Sequence, residues 1–216
     1  DGEFMGIDVE IATEALHRMG YEPEFKLIVW ENKNKLLEDG EVDCIWGCFS
    51  MNGREDKYLW AGPYLYSRQM VAVRMDSEIQ KLKDLTGKMI AVQETSKAEE
   101  YFLRSDFEGI PDVSLVYCFS NMDEVFAALR KNYVEAICGH ESALISFINT
   151  APDEYRLLEE SFLYSALGVA FDIQYDEEFV EELVKTLGDM MNDGTTAAIV
   201  GKYGLDAEKS LGRGND

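Results

Sequence analysis

The chain has 216 residues, enough for one large domain or two smaller lobes with a sizeable core. Hydrophobic residues make up 46% and charged residues 29%, a globular balance that argues against disorder and against a fibrous repeat. Lys and Arg number 20 against 42 Asp and Glu, a formal net charge of -22 that repels phosphate backbones and anionic membrane surfaces, so no nucleic-acid partner is expected.

In chain order, the apolar residues Val9, Ile11, Ala12, Ala15, Leu16 and Met19 recur at helical spacing and Gly20 ends the helix. Phe25 to Val29 reads as a strand, Leu36 and Leu37 mark a short helix ended by Gly40, and Val42 to Trp46 is a continuous apolar strand of the kind buried in a parallel sheet. A turn-rich stretch from Cys48 to Tyr66 precedes a strand from Gln69 to Arg74. The alternation then starts afresh: strand Met89 to Gln93, helix Ala98 to Arg104, strand Val113 to Tyr117, helix Met122 to Lys131 and strand Val134 to Cys138. Ala166 to Ile173 is a further strand, Phe179 to Met191 an amphipathic helix and Gly194 to Tyr203 a final helix, with a frayed tail from Gly212 to Asp216. Two α/β units with a returning terminal segment predict a discontinuous first lobe, 1–74 plus 172–216, and a second lobe, 75–171.

No apolar run approaches the ~20 residues that span a bilayer, and Asp1 to Phe4 has neither the basic nor the apolar region of a signal peptide. A soluble chain is expected, any export or anchoring segment lying outside it. Cys44, Cys48, Cys118 and Cys138 have no CxxC spacing and no nearby pair of histidines, so no metal site is expected; free thiols are the default, with one disulfide open. No Gly-rich phosphate loop or Ser/His/Asp arrangement calls for a cofactor or a hydrolytic centre.

Open α/β sheets bind ligands at the carboxyl ends of their strands, which directs attention to the loops after Trp46, Gln93 and Cys138 as walls of a common cleft. The first loop runs Gly47-Cys48-Phe49-Ser50-Met51-Asn52-Gly53-Arg54 and leads to Pro63-Tyr64. With Gly6-Ile7-Asp8-Val9-Glu10-Ile11-Ala12 and Gly40-Glu41-Val42-Asp43 before it, this block resembles family 3 of the bacterial extracellular solute-binding proteins. The resemblance continues through Val92-Gln93, Thr95-Ser96, Ala98-Glu99-Glu100-Tyr101, Glu135-Ala136-Ile137 and Gly201-Lys202-Tyr203-Gly204. It departs where the family's first strand and aromatic loop would precede Gly6.

The resemblance implies two Rossmann-like lobes joined by a two-strand hinge, the type II periplasmic-binding fold, in a monomer that closes on a small carboxylate such as an amino acid. Arg54 would then grip the carboxylate, because a guanidinium presents two parallel N–H donors to it; a surface pair with Glu55 or Asp56 is the plainer reading. Ser50 matches the family's loop hydroxyl, with turn capping as the alternative; Gly47 and Phe49 shape the loop, and Cys48 and Phe49 are expected among its ligand-binding residues. Trp30 falls where the family places an aromatic over the ligand, though Trp is also a common core residue.

In the second lobe Ser96, with the amides of Thr95 and Lys97, opens a helix whose N–H groups suit an anion; the family usually has Gly where Thr95 stands. His140 occupies a place where amino-acid-binding members carry an Asp for the ligand's ammonium, so Glu141 or another acid substitutes, or the ligand is not a standard α-amino acid. The implied partners are an ABC permease or an attached membrane signalling domain, outside the cell. A rival on the same scaffold is a dehydratase-like enzyme acting on a cyclic carboxylate, with His140 and Glu141 as acid and base.

Overall fold

The computed structural model describes residues 4–104 and 109–212; the tail expected beyond Gly212 lies outside the described residues. The chain divides into two compact units, residues 1–28, 32–67 and 165–216 in the first and residues 29–31 and 68–164 in the second. The crossings fall inside two long strands, β2 (Leu59–Arg74) and β7 (Leu163–Phe171). The sequence expectation placed them seven residues later, at the strand ends. A strand is continuous through hydrogen bonds, whereas its side chains change core part-way along, and composition does not mark that point.

In the first unit, α1 (Ile7–Arg18) buries Ile11, Ala12 and Ala15 and carries Asp8 and Glu10 in its first turn and His17 and Arg18 in its last, as the helix dipole favours. A 3-10 turn (Trp30–Asn32), whose Trp30 and Glu31 group with the second unit and whose Asn32 groups with the first, leads into α2 (Lys33–Glu38) of the first unit. β1 (Cys44–Ile45) pairs antiparallel with β7, Cys44 opposite Phe171, so it is not the parallel strand its apolar run suggested. Near the end of the chain, α6 (Glu177–Asn192) buries Val180, Leu183, Leu187 and Met190, one stripe at helical spacing. Then follow α7 (Thr195–Lys202) and α8 (Ala207–Ser210). The core gathers Ile11, Ala15, Tyr64, Leu167, Val169, Phe171 and the α6 stripe.

In the second unit the strand order is β2, β5, β3, β4, with β6 (Tyr155–Leu157) also on β2. β3 (Met89–Gln93) runs parallel to β4 (Leu115–Phe119) and to β5 (Ala136–His140), while β2 is antiparallel to β5 and β6. Both faces are buried. Val71, Val73, Ile90 and Val92 enter one core, and Met70, Ala72, Ala91 and Ile137 the other, which is the period-two alternation of a covered sheet. α3 (Lys97–Leu103), α4 (Met122–Arg130) and α5 (Glu141–Asn149) each follow one of the three parallel strands. The carboxyl ends of β3, β4 and β5 therefore share one edge.

Residues 25–29, expected as a strand, form none; Leu27 is 86% exposed. An alternating apolar run becomes a strand only where another strand pairs with it. Conversely β2 starts at Leu59, inside the stretch read as turns, because Gly62 and Pro63 look like breakers. A Cβ on Gly62 would meet Gly168 Cα at 3.1 Å, so a glycine is what permits that approach. α5, β6 and α8 were not anticipated at all.

Candidate functional site

The first-unit loop hangs from Asp8. Its Oδ2 accepts the Cys48 backbone N–H at 3.0 Å and its Oδ1 accepts the Tyr64 hydroxyl at 2.7 Å. Burial pushes the Asp8 carboxyl above its ordinary value, against the lowering effect of those hydrogen bonds. Cys48 takes φ +49, the left-handed turn that reverses the chain after β1. Residues 49–52 then zip onto β7: Gly168 N–H donates to Phe49 O at 3.0 Å, Met51 N–H to Ala166 O at 2.8 Å, and Ala166 N–H to Asn52 Oδ1 at 2.9 Å. A loop held by strand bonds loses little further entropy when a ligand arrives.

On this platform Phe49, Tyr58 and Trp60 pack edge to face, with ring centroids 5.1 to 5.3 Å apart. The Arg54 guanidinium lies 5.3 Å from the Phe49 centroid, and its Nη1 donates to Ser50 O at 3.1 Å. The Trp60 indole donates to Arg54 O at 3.1 Å, so backbone and side chain of Arg54 are both positioned. Lys33, the first residue of α2, approaches the same ring, its Nζ 5.9 Å from the centroid and its side chain buried. Beside it Asn34 accepts the Tyr58 hydroxyl. Burial raises the Tyr58 phenol, opposed by the charge of Arg54. Ser50 is 2% exposed and its hydroxyl donates to Asn52 Oδ1 at 3.1 Å, which places it in the support of the loop.

At the second unit's edge, Ser96 caps α3 by accepting Glu99 N–H at 3.2 Å, while Glu99 Oε2 accepts Thr95 N–H at 2.7 Å. Lys97 is buried and its Nζ meets Glu100 Oε2 at 2.6 Å. Of the groups expected to attract an anion, the Thr95 amide is thus already engaged by the Glu99 carboxylate, and the Ser96 hydroxyl oxygen is taken up as the cap of α3. His140 lies directly opposite Gln69 across the β2–β5 ladder, and Gln69 Nε2 is 2.9 Å from His140 Nε2. Gln69 is 1% exposed and its Oε1 has no hydrogen-bond partner among the described residues. Glu141, the acid expected to stand in for the missing Asp, takes a two-bond grip from Arg68, Nε at 2.9 Å and Nη2 closer still.

The structure brings Cys48, Phe49, Ser50 and Arg54 together in one unit and sets Thr95, Ser96, Lys97 and His140 along one edge of the other. Trp30, half-buried in its 3-10 turn, groups with the second unit. Sequence reading missed Lys33, Tyr58, Trp60, Gln69 and Arg68. Only Tyr58 and Trp60 lay inside the motif block and were open to notice there; the others take their places within their own units through packing and register. All four cysteines are free thiols, and burial drives Cys44 up to about 12. Among the described residues no three His, Cys, Asp or Glu side chains gather to hold a metal ion.

The profile of the bacterial extracellular solute-binding proteins, family 3, matches residues 1–206. The glutamate-binding protein GluB of Corynebacterium efficiens is 25% identical over 168 residues, which is 74% of this chain and 56% of GluB. This chain therefore spans little more than half of that relative. The L-cystine-binding protein TcyA of Bacillus subtilis is 24% identical over 213 residues, 94% of this chain and 74% of TcyA. A substrate-binding protein of an ABC uptake transporter from Streptococcus pneumoniae, with bound histidine, matches at a TM-score of 0.85 and 21% identity over 96% of this chain and 86% of its own. That likeness carries the fold alone, the α/β class of type II periplasmic binding proteins.

Proposed function

Since this chain belongs to the bacterial extracellular solute-binding proteins of family 3, we propose that it captures a small carboxylate-bearing solute, an amino acid or a derivative, outside the cell and leaves it chemically unchanged. The observation that carries this reading is Arg54: a guanidinium laid on Phe49, held through Nη1 by Ser50 O and through its own carbonyl by Trp60, in a loop zipped to β7. Such a fork matches a carboxylate in shape and charge. The relatives named for glutamate and cystine and the neighbour holding histidine all deal with amino acids, whose shared feature is that carboxylate.

A solute that stabilises a closed state gives an ABC permease, or a signalling domain in the same membrane protein, something to recognise. Arg54→Ala is expected to weaken binding of every amino acid that the protein takes by at least about thirty-fold, the lower end of the cost of truncating a hydrogen-bonded charge pair. The ligand-free Tm should fall by no more than about 4 °C, because the internal contacts of Arg54 amount to ~1 kcal/mol. Titration calorimetry against an amino-acid panel checks this, and equal affinity in the mutant rejects the role. Mass spectrometry of the same solutes after incubation should show no product; turnover would restore the dehydratase-like reading.

A further inference from the structure

Among the described residues one half-buried carboxylate has no donor, and it stands in the loop after β3. We propose that this residue, Glu94, is a cation-holding residue of the second unit that takes the ammonium of the captured amino acid, so that the solute keeps that group free. This rests on the capture reading above and deepens it.

A carboxylate taken partly out of water is costly unless donors replace the lost hydration. Every other half-buried acid among the described residues has such a donor. Asp8 accepts Cys48 N–H, Glu10 accepts from Lys202, Glu14 from Arg18 and Glu135 from Met89 N–H, while Asp84 and Asp172 take backbone N–H groups of their own turns. At the carboxyl edge of the second-unit sheet Glu99 accepts Thr95 N–H, Glu100 meets Lys97 and Arg104, and Glu141 is gripped by Arg68. Asp123 and Glu124, in the first turn of α4, are exposed and keep their water. Glu94 is half-buried on that edge, and its carboxylate has neither a hydrogen bond nor an ion pair among the described residues.

The place suits a ligand. Open α/β sheets receive ligands at the carboxyl ends of their parallel strands, and Glu94 directly follows β3. Its N–H donates to Phe119 O at 2.8 Å, and the next residue, Thr95, turns the chain at φ +54 with its own N–H held by Glu99. The carboxylate is thus carried on a pinned backbone, which lowers the entropy lost when it binds. Burial first, and then Glu99 and Glu94, push the Cys118 thiol of β4 up to about 12, so two negative charges act on one spot of the sheet. The cations of this edge, Arg68 and Lys97, are engaged with Glu141 and Glu100. An ammonium brings both the missing donors and the missing charge. Every amino acid carries one on the same carbon as the carboxylate that Arg54 grips, so all solutes of the class can make this contact whatever their side chain.

Titration calorimetry on the wild type, Glu94→Gln and Glu94→Asp tests this with amino acids and their desamino analogues: L-glutamate and glutarate, L-glutamine and glutaramate, L-arginine and 5-guanidinopentanoate. Each amino acid that the wild type binds should bind at least about tenfold more tightly than its analogue, the scale of one hydrogen bond between charged groups. Glu94→Gln should weaken every such amino acid by at least about tenfold and leave the analogues unweakened. Its ligand-free Tm should be unchanged or higher, because no internal contact is lost, and Glu94→Asp should keep the preference for the ammonium. An amino acid that binds Glu94→Gln as well as the wild type, or an amino acid and its analogue weakened alike, overturns the assignment. Weakening confined to L-arginine overturns it too, by moving the contact to a cationic side chain. Those failures leave capture through Arg54 intact, since Arg54→Ala should weaken amino acid and analogue together through the carboxylate that both carry. A wild type that binds none of the six overturns capture itself.

Discussion

A Cβ at Gly168 would come within 2.8 Å of Met51 Cγ, Met51 Sδ and Trp60 Cε3. Met51 can swing away, but Trp60 is held by its indole bond to Arg54 O and by the rings of Phe49 and Tyr58. Gly168→Ala should therefore cost ~1–3 kcal/mol of stability, the usual range for overpacking a filled space. It should also shift the Trp emission and weaken ligand binding, because the indole that steadies Arg54 is displaced. Unchanged fluorescence with unchanged affinity would mean that β7 slides to make room and that the ring cluster does not depend on this approach. The residues of the loop itself were readable from sequence, since 47–54 form one contiguous block. Gly168 was not, because it acquires its importance from a ring contributed by another segment.

Among the elements, the junction of α6 and α7 depends on a single carboxylate. Asp193 Oδ1 accepts Thr195 N–H at 2.9 Å, and Oδ2 accepts Arg18 Nη1 at 2.6 Å from the end of α1. Arg18 also reaches Thr195 Oγ1 at 2.9 Å and Glu14 at 2.7 Å. The Thr195 hydroxyl first, and Arg18 next, pull the Asp193 carboxyl down to about 2. A depressed folded-state value stabilises the fold above the unfolded value of 3.8 and loses that contribution as pH falls through about 2. The acid limb of a Tm-against-pH curve should thus be shallower in Asp193→Asn than in the wild type between these two values, and the difference should shrink in high salt because the pair is exposed. Parallel curves would show that the junction is held by packing alone. That α6 is a helix was legible from Phe179, Leu183 and Leu187; that its end is tied to α1 was not, since Arg18 and Asp193 lie far apart in the chain.

For the molecule as a whole, the proposed capture is a linkage between ligand and fold. A solute present at about 100 times its Kd stabilises the native state by ~2.7 kcal/mol, and for a chain of this length about 1 kcal/mol moves Tm by 2–4 °C. The bound protein should therefore melt roughly 5–10 °C higher. Arg54→Ala should erase this shift for all amino acids. A differential scan of the panel, with and without the substitution, reads this result; an amino acid that binds by calorimetry yet leaves Tm unmoved would mean that its site survives in the unfolded chain.

The sequence by itself determined the α/β class, the helices α1, α4, α6 and α7, the central strands β3, β4 and β5, and the loop bearing Phe49 and Arg54. Those features are local: each follows from the period of apolar side chains or from residues adjacent in the chain. Only the tertiary structure decided that β1 pairs antiparallel with β7, that residues 25–29 form no strand, and that Gln69 faces His140 while Arg68 takes Glu141. It alone set Lys33 and Arg54 against one ring. Strand pairing and ring contacts join segments distant in the chain, and their energy depends on register and packing, which no local pattern of residues encodes.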